Sequence, residues 1–92
     1  MNKSELIEAL AQKIDIPQRE AGGITNTILE AMTEALASGS NIEIRGFGSF
    51  VVKNYESYQG RNPKTGDKIS VPPKKLPFFK AGKELKEKVN GG

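Results

Sequence analysis

The chain has no cysteine, no histidine and no tryptophan. Without cysteine there are no disulfides, thiolate metal sites or thiol nucleophile. Without histidine there is no imidazole ligand and no base that titrates near neutral pH. Catalysis would be left to carboxylates or lysine, and no paired-acid cleft is signalled. The sequence is therefore read as that of a non-enzyme with no cofactor, no metal and no small-molecule substrate. Long apolar runs are also missing. None approaches the ~20 residues of a membrane span, and the N-terminus has no signal-peptide core. These absences predict a cytoplasmic protein with no membrane partner.

What is present is 92 residues, enough for one small domain. Residues 53–75 read as a polar ribbon, which leaves 1–52 and 76–92 to make a body near the size where a lone core is hard to stabilise. With disulfides and zinc excluded, oligomerisation is the remaining remedy. The expectation is an obligate dimer with an interlocked core.

Net charge is +3, but it is unevenly spread. Residues 1–40 carry three cations and six acids; residues 41–92 carry 11 cations and five acids. The first half is helical in pattern and the second holds the ribbon and tail. That asymmetry points to a polyanion facing the second half.

Residues 2–14 read as an amphipathic helix on Leu6, Leu10 and Ile14, with Asn2 and Glu5 at capping-box spacing. Asp15-Ile16-Pro17 breaks it, with Pro17 suited to the first turn of the next helix. A second helix over 18–38 carries Ala21, Ile24, Ile28, Met32, Ala35 and Leu36 on one face, and Ser38-Gly39-Ser40 ends it. Gly22-Gly23 either permits close helix approach or weakens the first turn; the sequence leaves both open. Two helices joined by a short turn suggest a helix-turn-helix reader, but Glu20, Glu30 and Glu34 against Arg19 alone suit the second helix poorly to phosphates. Ile42 and Ile44 then alternate with Glu43 and Arg45 as a strand, Gly46-Phe47-Gly48 turns, and Ser49–Val52 forms a second strand. Phe47 and Phe50 are expected in the core. Leu76-Pro77-Phe78-Phe79 returns the chain to the body. Lys80–Val89 reads as a short helix with Leu85 and Val89 inward, and free N–H groups near Ala81-Gly82-Lys83 suit a phosphate.

The ribbon runs out over Lys53–Gln59, turns at Gly60-Arg61-Asn62-Pro63-Lys64-Thr65-Gly66 and returns over Asp67–Val71. Pro72-Pro73 should loosen the return strand. A P-loop is rejected, because Gly66 is followed by Asp67-Lys68 and no helix is signalled. That leaves a bland surface hairpin or a nucleic-acid arm. The residue types favour the arm: Lys53, Arg61, Lys64, Lys68, Lys74 and Lys75 suit phosphates, and Arg61 and Asn62 suit base edges. Tyr55 and Tyr58 are possible stacking platforms for a single strand, though strand alternation explains them too. A two-stranded ribbon fits the major groove, about 12 Å wide, but must open the minor groove, about 6 Å wide. Pro63 offers no N–H to a base yet is a compact wedge, which favours the minor groove and bending.

Ile42-Glu43-Ile44-Arg45-Gly46-Phe47-Gly48-Ser49-Phe50, the Gly60–Gly66 turn, and Pro77-x-Phe79-Lys80-x-Gly82-Lys83 together resemble the HU and integration host factor family of bacterial DNA-bending proteins. The resemblance spans the chain. It implies an α+β fold: an intertwined dimer with two N-terminal helices, a three-stranded antiparallel sheet extended into a β-ribbon arm, and a short C-terminal helix. It implies a double-stranded DNA partner gripped in the minor groove, and a place in the nucleoid with roles in chromosome condensation, recombination and transcription regulation. By the same resemblance Pro63 is an intercalating wedge with Arg61 and Asn62 in the minor groove, a mode of binding for which this family is a standing example. Arg45, the Gly46-Phe47 backbone, Lys75, Lys80, Lys83 and Lys86 would lie on phosphates; Glu43 and Lys3 complete the DNA-contact candidates. Glu43/Arg45 with Ile16-Pro17 looks most similar to the integration host factor β-subunit branch. That implies some sequence preference and a partner subunit that is identical or related. A non-specific, homodimeric HU-like protein is the alternative.

Overall fold

The computed structural model describes residues 1–91. Helix α1 spans Lys3–Ile14 and α2 spans Gln18–Ala37. Strands β1 (Ile42–Ile44), β2 (Gly48–Tyr55), β3 (Tyr58–Arg61), β4 (Lys68–Val71) and β5 (Lys74–Ala81) follow, then α3 (Lys83–Val89). The arrangement is α+β, as expected.

The local signals act as read. Asn2 Oδ1 accepts the Glu5 N–H at 2.9 Å, and the Asn2 N–H donates to Glu5 Oε1 at 3.2 Å, closing the capping box. Asp15 ends α1 in the left-handed region, φ 53°, which a short polar side chain tolerates. Pro17 stands one position earlier than expected: it is the N-cap of α2, with its fixed φ at −60°, and does not sit inside the first turn. At the other end Gly39 has φ +90°, with Gly39 N–H on the Leu36 carbonyl and Ser40 N–H on that of Ala35. This paired closure satisfies two carbonyls that the helix end would leave free.

The structure also bears on Gly22-Gly23. A methyl on Gly22 would meet Ile7 of α1 at 3.9 Å, an ordinary contact, and one on Gly23 would meet nothing within 4 Å. Neither glycine is demanded by close approach. Gly23→Ala should therefore stabilise the protein by about 0.5–1 kcal/mol through helix propensity and reduced unfolded-state entropy. Thermal unfolding monitored by circular dichroism checks this; a lower Tm would show that something else occupies that face.

The main sheet is antiparallel in the order β1-β2-β5. β2 and β5 pair from Gly48↔Ala81 to Tyr55↔Lys74, so the ladder runs past Val52, the expected end of the body strand. The start of the last helix is displaced by the same ladder. Lys80 and Ala81 stay in β5, paired to Ser49 and Gly48, so α3 begins at Lys83 and not at Lys80. Asn41 Oδ1 accepts the Val52 N–H at 3.0 Å, a side chain standing in where short β1 has no carbonyl to offer.

The pleat sorts residues by face. Ile42, Ile44, Gly48, Phe50, Val52, Pro77, Phe79 and Ala81 share the face turned to the helices. Phe79 is its centre: its ring lies 4.9 Å from that of Phe50 and 5.4 Å from that of Phe47. Yet little of this is buried within one chain. Only Ala11, Ala21, Thr25 and Gly48 are buried among the described residues. Phe47, expected in the core, is exposed, as are Ile24, Ile28 (54%) and Phe79 (42%). Leu85 is half-buried as expected, but Val89 is 79% exposed, because α3 has no second layer beneath its last turn.

Candidate nucleic-acid interface

The arm is a separate two-stranded ribbon, β3-β4. It is set off from the main sheet by Glu56-Ser57 on the way out and Pro72-Pro73 on the way back. The proline break was legible in the sequence; the matching break at Glu56-Ser57 was not. The molecule extends 59 Å along its longest axis, and its radius of gyration is 19.1 Å, against about 12 Å for a compact domain of this length.

Gly60 is not part of the turn. It pairs with Ile69 inside the ribbon, and the loop proper is Pro63–Gly66. Asn62 builds that loop. Its N–H donates to the Asp67 carbonyl at 2.8 Å, its own carbonyl accepts the Gly66 N–H at 2.7 Å, and its Oδ1 accepts the Lys64 N–H at 2.9 Å. Asn62 therefore commits its side-chain oxygen to the turn and keeps only its amide N–H groups free for another partner. Gly66 takes φ +74°, and Thr65 Oγ1 accepts the Asp67 N–H at 3.3 Å. Sequence reading missed Thr65; a Thr two residues before Asp in a turn is the signal that marks it. Pro63 and Lys64 stand exposed at the tip.

Just behind the tip, Arg61 and Lys68 are direct cross-strand partners. Like charges placed so cost stability in water. A neighbouring polyanion reverses the sign of that cost.

The base of the arm adds Lys53, Lys74 and Lys75. Lys74 pairs with Tyr55 and Lys75 with Asn54, so the two lysines point to opposite faces of the sheet. Lys53 and Lys80 share the face of Lys74. Glu43 lies beside Ser49 on that same face, and Arg45 stands exposed in the following turn. There Gly46 takes φ +83° and the Phe47 N–H returns to the Ile44 carbonyl at 3.0 Å. The Phe47 carbonyl accepts the Gly82 N–H at 2.9 Å, which ties this turn to the start of α3, where Lys83 stands exposed. Glu84 also approaches: its carboxylate would be 3.0 Å from a methyl on Gly46. Lys86 lies further along α3, beside Ala81 and Leu85. Lys3 is apart from all of these, bordering a shallow depression with Asn26, Leu29, Glu30 and Glu34 on the helical layer.

Residues 1–90 match the family model described as bacterial DNA-binding protein. The integration host factor subunit beta of Bordetella petrii is 53% identical over 91 residues, covering 98% of this chain and 76% of that one. Among solved structures, an HU chain from an Anabaena HU–DNA cocrystal is similar with TM-score 0.86 and 39% identity, over 100% of both chains. HU from Thermotoga maritima is similar with TM-score 0.69 and 40% identity, over 97% of this chain and 98% of that one. The β-subunit resemblance read from Glu43/Arg45 agrees with the first of these relatives. With its family matched from end to end and its fold shared with HU chains, the chain belongs to the HU and integration host factor family of bacterial DNA-binding proteins, architectural proteins that bend DNA and not enzymes.

Proposed function

We propose that the protein acts as a dimer whose two arms enter the minor groove of duplex DNA and bend it at a step wedged by Pro63. The observation that carries this reading is the arm itself: an exposed proline at the tip of a ribbon whose cross-strand Arg61 and Lys68 have no acidic partner opposite them. Arg61 and the free amide of Asn62 serve the groove; Lys64 and Lys68 serve the flanking phosphates. Behind them, Lys53, Lys74, Lys75, Lys80, Lys83, Lys86, Arg45 and the Gly46-Phe47 turn guide the duplex along the body. Glu43 lies beside them to discriminate bases near Arg45, in keeping with a sequence preference of the integration host factor type. Lys3 contributes a distant phosphate contact. The cellular setting is the nucleoid of a bacterial cytoplasm.

The dimer is supported by the apolar face left open by one chain. Ile24 and Ile28 of α2, and Ile44, Phe47 and Phe79 of the sheet, are all exposed. At ~25 cal/mol per Å² such a face is too costly to leave wet in a small domain. Thermal unfolding should consequently shift to higher temperature as protein concentration rises. A Tm constant over a hundredfold concentration range, with sedimentation as a monomer, would rule the dimer out.

End-to-end FRET on a doubly labelled duplex tests the bending: addition of protein should bring the dyes together, and unchanged transfer at saturation refutes the reading. Phosphate contacts are tested separately. Lys83→Ala should weaken binding to all duplexes alike and flatten the plot of log affinity against log salt by about 0.9 for each phosphate no longer neutralised. An effect confined to one sequence contradicts a phosphate role for Lys83.

A further inference from the structure

The sheet face turned away from the helices is where apolar groups are least expected, yet it carries Val51, Tyr55, Leu76 and Phe78 among Lys53, Lys74 and Lys80. Tyr55 and Phe78 are 41% and 36% exposed, and their rings lie 6.5 Å apart at 53°. Lys53 Nζ stands 4.6 Å from the Phe78 ring centre, and Lys74 Nζ 6.0 Å from that of Tyr55. The apolar face that the dimer would cover is the opposite one, so dimerisation gives these rings no partner. They also lie outside the arm, behind the break at Glu56-Ser57.

We propose that this face is a second nucleic-acid surface, which takes single-stranded DNA by stacking two bases on Tyr55 and Phe78. Each requirement of such a platform is met on adjacent strands of one sheet. Aromatic rings are offered to bases of any identity, and lysines beside them are offered to the backbone that links those bases. The two cation–ring contacts show both rings presenting a π-face that a cation can reach. A base that stacks there displaces the ammonium group towards a phosphate, so the lysines are kept in use. Neighbouring Leu76 and Val51 supply an apolar floor that a duplex, whose bases are already stacked inside, uses poorly. The proposal does not rest on Pro63 or on minor-groove binding.

The absence of tryptophan supplies the readout, since Tyr55 and Tyr58 are the only tyrosines. In the full chain carrying Tyr58→Phe, Tyr55 emission should be quenched on titration with a thymidine dodecamer. Phe78→Ala should weaken binding of that oligonucleotide, by anisotropy, roughly 5- to 150-fold. Tyr55→Leu should do the same, and it serves as the second test should the alanine variant lose its fold. Pro63→Ala should keep single-strand affinity within twofold of the parent. Unquenched Tyr55, or unchanged affinity in both ring variants, overturns the proposal. Loss of single-strand binding in Pro63→Ala overturns it too, because the arm tip would then carry the contact. An oligouridylate of equal length forms the last arm, and tighter binding to it overturns the assignment to DNA.

Discussion

Gly48→Ala is expected to cost on the order of 3 kcal/mol or more, at or beyond the upper end for overpacked sites. A Cβ at this buried position would lie 2.7 Å from Cζ and 2.8 Å from Cε1 of Phe79, and would also press on the carbonyl oxygen of Lys80. Neither neighbour has room to yield. Phe79 is wedged between the rings of Phe47 and Phe50. The Lys80 carbonyl belongs to β5, which is held by the ladder from Gly48↔Ala81 onward. The Gly82 N–H is bonded to the Phe47 carbonyl just beyond. A change of this size lowers Tm by roughly 10 °C or more in a small domain. Circular dichroism melts of wild type and variant at equal concentration measure it. A Tm within two or three degrees of wild type would mean that β2 and β5 separate more readily than their register implies.

Pro63→Ala is expected to remove most of the DNA bend while leaving the arm folded. The hydrogen bonds of the loop run through Asn62, Lys64, Gly66 and Asp67, and none uses Pro63 as donor or acceptor. The turn therefore survives the substitution. What is lost is the rigid ring at the tip. Prying open a base step costs a few kcal/mol, and a methyl group offers too little surface to hold it open. Encounter with DNA depends on Arg61, Lys64 and Lys68, so the salt dependence of binding should stay as in wild type. The bend, read as FRET between the ends of a saturated duplex, should fall by more than half. Equal transfer for the two proteins would remove the wedge from the mechanism and leave bending to the phosphate contacts.

How far the chain was legible in advance depends on how local each signal is. Asn2 with Glu5, and Ser38-Gly39-Ser40, set helix ends because their hydrogen bonds close within a few residues. Asn62-Pro63-Lys64-Thr65-Gly66 marked the arm tip for the same reason. The reading failed where a distant strand intervened. Lys80 and Ala81 have helix-compatible side chains, but β2 holds them in a ladder. Gly60 looks like a turn residue, yet Ile69 pairs with it. Phe47 and Val89 are apolar, but one chain has too few layers to cover them.

The amino-acid sequence by itself determined that the first forty residues are acidic and helical, that the rest is basic, and that a proline-tipped hairpin joins two runs of the body. Those properties follow from composition and from contacts a few residues apart. Only the tertiary structure decided that Arg61 faces Lys68, that Tyr55 and Phe78 share the outer face with three lysines, and that the apolar face of α2 and the sheet stays open. Cross-strand neighbours depend on register, and burial depends on how many layers meet. Both are fixed by pairing between residues far apart along the chain.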